Sequence, residues 1–195
     1  MKRQDRISSK WSADRWIALS AIVVAVCSLA LSIWQGILAR QHNRLSVRPI
    51  VTISGMHNEK GSGWVLGNAG IGPALVKWFE VTVDEKPMRH WREFGEELGL
   101  PPDFRYSYWV PAPATVIPPQ EPKNLFWVFP GENDSILRNN KKRIRMRLCY
   151  GSVYGESWLA TGNPNAPPFM PCGEEPKVRF EPPPMGSSSY RGPGN

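Results

Sequence analysis

The sequence predicts a mainly β protein: one N-terminal transmembrane α-helix, then a β-sandwich with a short inserted helix. Three observations predict it. Trp16–Leu38 (WIALSAIVVAVCSLALSIWQGIL) runs twenty-three residues without a charge, bracketed by Arg15 and Arg40. Beyond it, short β-branched runs alternate with Pro- and Gly-rich turns, in a chain holding 20 prolines and 17 glycines. One of those runs, Lys142–Tyr150, alternates cleanly between apolar and arginine positions.

As an α-helix, twenty-three residues rise roughly 34 Å, enough for a hydrocarbon core of about 30 Å. Helical pairing satisfies every backbone amide inside lipid. A cleaved signal peptide has a shorter apolar core and small residues at its cleavage site. Here the candidate site, Ile37-Leu38-Ala39, is bulky at its first position, so the expectation is an uncleaved signal-anchor. Lys2, Arg3, Arg6, Lys10 and Arg15 precede the span, against Arg40, Arg44 and Arg48 after it. That bias points the N-terminus to the cytoplasm and the domain outward. Trp16 and Trp34 stand about 27 Å apart along such a helix, suited to the two interfaces. Ala18, Ala21, Ala25, Ser28, Ser32 and Gly36 recur at spacings of three and four and share one face. Such a stripe admits a second helix, giving a possible homo-oligomer; the competing explanation is that Ala and Ser are simply common in spans.

The net charge of +7 arises mainly at the membrane flanks. From Arg44 onward there are 18 Lys/Arg against 15 Asp/Glu, a balance that argues against a nucleic-acid surface. The organisation expected is a basic tail (1–15), the span (16–38), a stalk (39–48), a sandwich (49–160) and a flexible Pro/Gly-rich C-terminus (161–195). Within the sandwich, Pro49–Ser54 reads as a strand, His57–Gly63 as a turn cluster and Trp64–Leu66 as the returning strand. Gly67–Ala74 (GNAGIGPA) has the glycine density of a phosphate loop. No helix or Walker lysine follows, so it reads as a turn with glycines at positive φ, ahead of strand Leu75–Val83.

Asn68-x-Gly70-x-Gly72-Pro73-Ala74, before a strand ending in Asp84-Glu85, resembles a motif of small Ig-like β-sandwich modules. It is also similar to a group of bacterial single-pass membrane proteins with such an outer domain. The resemblance covers Arg48 to Trp158 and implies an acidic turn leading to a short helix with a tryptophan. Pro87–Leu98 fits, with Trp91, Phe94 and Leu98 on one face. Cys149–Trp158 resembles the group's closing hairpin, which carries cysteines near positions 151 and 157; this chain has Gly151 and Ser157. The group implies no known activity; the location expected for this chain is the cell inner membrane, single-pass.

Leu100–Pro122 combines proline with aromatic residues. Tyr106, Tyr108 and Trp109 form a candidate contact surface, or else cover the open end of the sandwich. Tyr106–Val110 and Ala114–Ile117 read as short strands, Asn124–Phe129 as a central one, and Gly131–Asn140 as a loop with one helical turn. Arg143, Arg145 and Arg147 on one strand face can grip a phosphate, lipid headgroup or acidic partner, or form a wet face neutralised by carboxylates. Lys177–Phe180 is a candidate edge strand.

Cys27 lies in the span. Cys149 and Cys172 can close a disulfide if the domain faces an oxidising compartment, and are separate thiols otherwise. His42, His57 and His90 show no metal-ligand spacing and read as solvent-facing. Gly151-Ser152-Val153-Tyr154-Gly155 places valine where a nucleophile elbow needs serine. No catalytic residues, cofactor or metal are expected. The function expected is a non-enzymatic binding or assembly module whose partners are the bilayer and another membrane or envelope protein. Two alternatives stand beside it: a membrane-tethered hydrolase, and a cytoplasm-facing accessory subunit or sensor.

Overall fold

The computed structural model describes residues 5–167 and 169–182. They form two units, divided between Leu45 and Ser46. The first is a single helix, α1 (Asp5–Ser46). From Ala13 to Ser46 every side chain is exposed, the apolar ones of Trp16–Leu38 included. One helix is thus long and apolar enough to cross a membrane. It includes Arg40–Ser46, where a stalk was expected, because nothing before Pro49 breaks a helix.

The second unit packs two antiparallel sheets. Strands β1 (Val51–Asn58), β2 (Gly61–Asn68), β3 (Ala74–Val83) and β4 (Lys86–Pro87) precede helix α2 (Trp91–Glu97). Then come β5 (Tyr106–Tyr108), β6 (Val116–Ile117), β7 (Lys123–Val128), α3 (Glu132–Asn139), β8 (Ile144–Gly151) and β9 (Ser157–Thr161). One sheet has the order β1-β2-β7-β5, the other β4-β3-β8-β9 with β6 beside β3. Two expectations were too short. The turn between β1 and β2 is only Glu59-Lys60, with Asn58 opposite Gly61, so the turn cluster mostly belongs to strands. The 131–140 segment holds a two-turn helix rather than one turn.

Helix α2 is inserted between the layers. Its nitrogen end is capped by His90, whose Nδ1 accepts the Glu93 amide at 3.1 Å, so this histidine has a structural partner. Trp91, Phe94 and Leu98 are buried, as the one-face spacing requires. The Trp91 ring lies 5.0 Å from Phe126 of β7, 5.3 Å from Phe94, 6.2 Å from Phe79 of β3 and 4.7 Å from Phe180.

Phe180 corrects two expectations. Residues 161–182 are strapped to the sandwich rather than loose, and 177–180 is not an edge strand. Leu159 bridges Met170, Cys172 is bonded to Cys149, the Glu181 amide donates to the Arg89 carbonyl, and Phe180 is only 5% exposed. A polar, proline-rich composition concealed one aromatic that the core requires. Residues 183–195 of the expected flexible tail, and 1–4 of the basic one, lie outside the described residues.

The 67–74 turn is also built differently from the expectation. Neither Gly70 nor Gly72 has positive φ. They are glycines because the backbone passes too close: a Cβ on Gly70 would lie 2.3 Å from the Arg48 carbonyl oxygen, and one on Gly72 1.7 Å from that of Val47. Asn68, 2% exposed, ties this crossing together. Its Oδ1 accepts the Ile50 and Gly70 amides at 3.1 and 3.0 Å, and its Nδ2 donates to the Gly72 and Ile117 carbonyls at 2.8 and 3.1 Å. All four hydrogen-bonding positions of the amide are used.

Asn68→Ala leaves these backbone groups buried without partners and should cost ~3 kcal/mol or more. Asn68→Asp, which cannot donate, should be nearly as damaging. Denaturant titration of the detergent-solubilised chain, followed by tryptophan fluorescence, measures both; wild-type midpoints would refute the assignment.

Candidate functional site

Strand β8 carries Arg145 and Arg147 of the arginine row; Arg143, expected on the same strand face, lies in the short 3-10 turn Lys141–Arg143 just before it. Ile144, Met146, Leu148 and Tyr150 turn inward, so Arg145, Arg147 and Cys149 turn outward. The pairing of β8 with β3 sets Glu80 opposite Arg147, Thr82 opposite Arg145 and Trp78 opposite Cys149. Each arginine meets a carboxylate: Arg147 Nη2 lies 2.5 Å from Glu80, Arg143 Nη2 2.6 Å from Asp84, and Arg145 Nη2 3.7 Å from Glu85. Glu80 is 8% exposed, and Arg147 also lies over Trp78 at 5.7 Å. The hydrogen bond from Arg143 holds the Asp84 carboxyl below its ordinary value. This face is charged residue by residue and neutral as a whole.

The aromatic segment divides. Tyr106 is 2% exposed and stacks on Phe104 at 4.5 Å, so its ring belongs to the core rather than to a contact surface. The β5–β7 pairing turns it inward, opposite Val128. Tyr108 and Trp109 are half-buried against the same core. The segment closes an end of the sandwich and leaves two ring edges to solvent.

In α1, Ala18, Ala21, Ala25, Ser28, Ser32 and Gly36 are all exposed. The Ser32 hydroxyl donates back to the Ser28 carbonyl at 2.9 Å, which satisfies it without a second helix. Cys149 and Cys172 are joined as a disulfide, with Cα atoms 5.2 Å apart. Cys149 lies on the outer face of its sheet, and the bond ties the C-terminal strap there beside β9, where Met170 bridges Leu159. Gly151 and Ser157, where the resembling group carries cysteines, stand opposite each other in the β8–β9 hairpin.

Two features were not anticipated. The first is a cluster at the turn end of the β1–β2 hairpin. His57 and Ser62 are cross-strand partners, with Nδ1 2.8 Å from Oγ. Asp134 of α3 brings Oδ1 to 3.8 Å from that same nitrogen; this oxygen is buried and has no hydrogen-bond partner, while Oδ2 lies 3.5 Å from Arg138. Serine, histidine and aspartate are triad residue types, but a triad needs two different ring nitrogens, one for each partner. Here Ser62 and Asp134 compete for Nδ1, so Asp134 does not orient His57 toward Ser62. The hairpin turn announces the His57–Ser62 pair in the sequence; nothing local announces Asp134, seventy-two residues beyond Ser62.

The second feature is a groove of about 470 Å³ along the outer edge of β1. Ile50 to Gly55 form one wall, and Ala160–Pro164 with Phe169 contribute to the other. At Gly55 and Lys141 it adjoins a smaller recess containing His57, Ser62 and Arg138. Below it lies Tyr150, whose phenol burial pushes up, so it stays neutral and bonds the Val51 amide. Near its other end the Arg48 guanidinium lies 3.5 Å from the Phe169 ring centre and 4.6 Å from that of Trp158. Among the described residues, no three His, Cys, Asp or Glu side chains gather as a metal site requires. Comparison with protein-family models and with curated proteins finds no match to this chain.

Arg143→Ala should return the Asp84 pKa upward toward the ordinary value of about 3.9, readable by carboxyl NMR. Because the folded value is the lower one, the pair stabilises the fold above that pH and its contribution is lost on acidification. An unchanged Asp84 titration would show that the pair is not formed in solution.

Proposed function

We propose that this chain is a non-enzymatic binding module, held at a bacterial inner membrane by α1, with its sandwich presented outside the cytoplasm to another membrane or envelope protein. The observation carrying this reading is the pairing of a wholly exposed apolar helix with a compact domain whose accessible backbone edge borders an open groove. The sandwich is read as Ig-like. In chain order its sheets run A-B-E-D (β1-β2-β7-β5) and C′-C-F-G (β4-β3-β8-β9), the order of that fold. It departs from antibody domains in its disulfide, which joins strand F to the strap instead of bridging the sheets. Support for the outward orientation comes from the basic residues before the span and from the disulfide, since such bonds persist in oxidising compartments.

A second reading, a membrane-tethered hydrolase, has the Ser62–His57–Asp134 cluster in its favour. Ser62 is only 3% exposed, and its partners compete for one nitrogen, which weighs against it. A fluorophosphonate probe distinguishes the two readings. The binding-module reading expects no labelling of the full chain beyond a Ser62→Ala control, and stoichiometric labelling at Ser62 would favour the hydrolase.

Orientation is tested with a membrane-impermeant maleimide on intact cells. Cys149 and Cys172 should stay unlabelled until reduction and then label without permeabilisation. Labelling only after lysis would place the domain in the cytoplasm and favour the accessory-subunit reading. Photo-crosslinking from Thr52 or Ser54 in native membranes should yield a discrete adduct; none, together with purification free of any companion, would remove the binding function.

A further inference from the structure

We propose that the free edge of β1 receives an extended peptide segment carrying an acidic side chain, which adds beside β1 as a new strand and sets its carboxylate on Lys141. The inference rests on the binding-module reading and specifies the partner's chemistry.

The backbone supplies the first part. β1 is paired on one side only, with β2. The Ile50 carbonyl accepts the Ala69 amide, and Asn58 and Gly61 close a two-residue turn. In an antiparallel ladder, residues 50, 52, 54, 56 and 58 therefore direct their amide groups to β2, while 51, 53, 55 and 57 direct theirs outward. The Val51 N–H is taken by Tyr150. Ile53, Gly55 and His57 present the remaining outward groups over roughly 13 Å of strand. Ile50 and the first five residues of β1, Val51 to Gly55, line the groove wall without interruption. A strand offers consecutive residues only along its edge, since its faces offer alternate ones. Added strands bind chiefly through such main-chain groups.

Charge supplies the second part. Lys141 lines both the groove and its adjoining recess, and no acidic residue is among the lining; Arg138 of the recess already faces Asp134 at 3.5 Å. Lys141 differs from Arg143, Arg145 and Arg147 in that no carboxylate meets it among the described residues. Its chain lies across β1 at Gly55, where a Cβ would stand 2.9 Å from Lys141 Cε. A bare strand edge invites pairing with any other edge, and a lysine held on the strand's face beside it discourages that. A neutral strand must displace the cation without compensation, whereas an acidic one exchanges displacement for an ion pair. Specificity thus comes from the same side chain that protects the edge.

The experiment is a random octapeptide display selection on the full chain in nanodiscs, with Lys141→Glu and Gly55→Pro variants in parallel. Enriched peptides should alternate β-branched or aromatic residues and carry Asp or Glu at one fixed position. Lys141→Glu should weaken the consensus peptide at least about tenfold and move the selection to Lys or Arg at that position. Gly55→Pro, which removes one outward N–H, should weaken all selected peptides; if it misfolds, the charge reversal alone decides. Enrichment no greater than on empty nanodiscs, or a consensus indifferent to Lys141, overturns the inference. Should that occur while the β1 crosslink still captures a discrete partner, the strand inference falls and the binding module stands. Loss of both removes the function itself.

Discussion

Everything in the sandwich depends on Trp91 filling the space between two sheets. Its ring meets β3 through Phe79, β7 through Phe126, its own helix through Phe94 and the C-terminal strap through Phe180. Two sheets in direct contact would sit about 10 Å apart with interleaved side chains. Here a helix of seven residues contributes Trp91 and Phe94 to the core, and their rings meet side chains of both sheets. The indole N–H finds no partner. Leaving it unsatisfied is unfavourable by about 1–3 kcal/mol, but a buried tryptophan removes roughly 200 Å² or more from water, so the area term dominates.

Much of this architecture was legible because its signals are periodic. The uncharged run of Trp16–Leu38, the alternation of Ile144 to Tyr150 and the one-face spacing of Trp91, Phe94 and Leu98 each translate directly into an element. What escaped was contact at long sequence separation. Asn68 looks like an ordinary turn residue until Ile50, Gly72 and Ile117 surround it. Gly70 and Gly72 look like conformational hinges until the Val47 and Arg48 carbonyls press on them. The region after Thr161 looks dispensable because the residues that tie it down, Phe169, Met170, Cys172 and Phe180 among them, are isolated and form no pattern. The candidate surfaces follow the same division. The arginine row was visible in one strand, but its carboxylates belong to β3 and the turn after it. That Lys141, unlike the three arginines, meets no carboxylate among the described residues is decided entirely by the fold.

The two faces of charge on this domain consequently differ in kind. On the β3–β8 face, opposite signs are matched in register, so it attracts little at a distance and less as salt rises. Along β1, Lys141 stands beside open amides with no acidic residue among the groove's lining. A small domain close to electrical balance can therefore be selective at this edge, where a cation without a carboxylate adjoins unpaired backbone.

The position of Phe180 has a consequence for how the protein is made. Strands β1 to β9 are complete by residue 161, yet the ring that closes the core comes nineteen residues later, beyond the cysteine that ties its segment down. A chain emerging from the ribosome cannot finish this core while residue 180 is still in the exit channel. Closure of the sandwich is thus deferred past its last strand, and Trp91 waits for a ring supplied from outside both sheets.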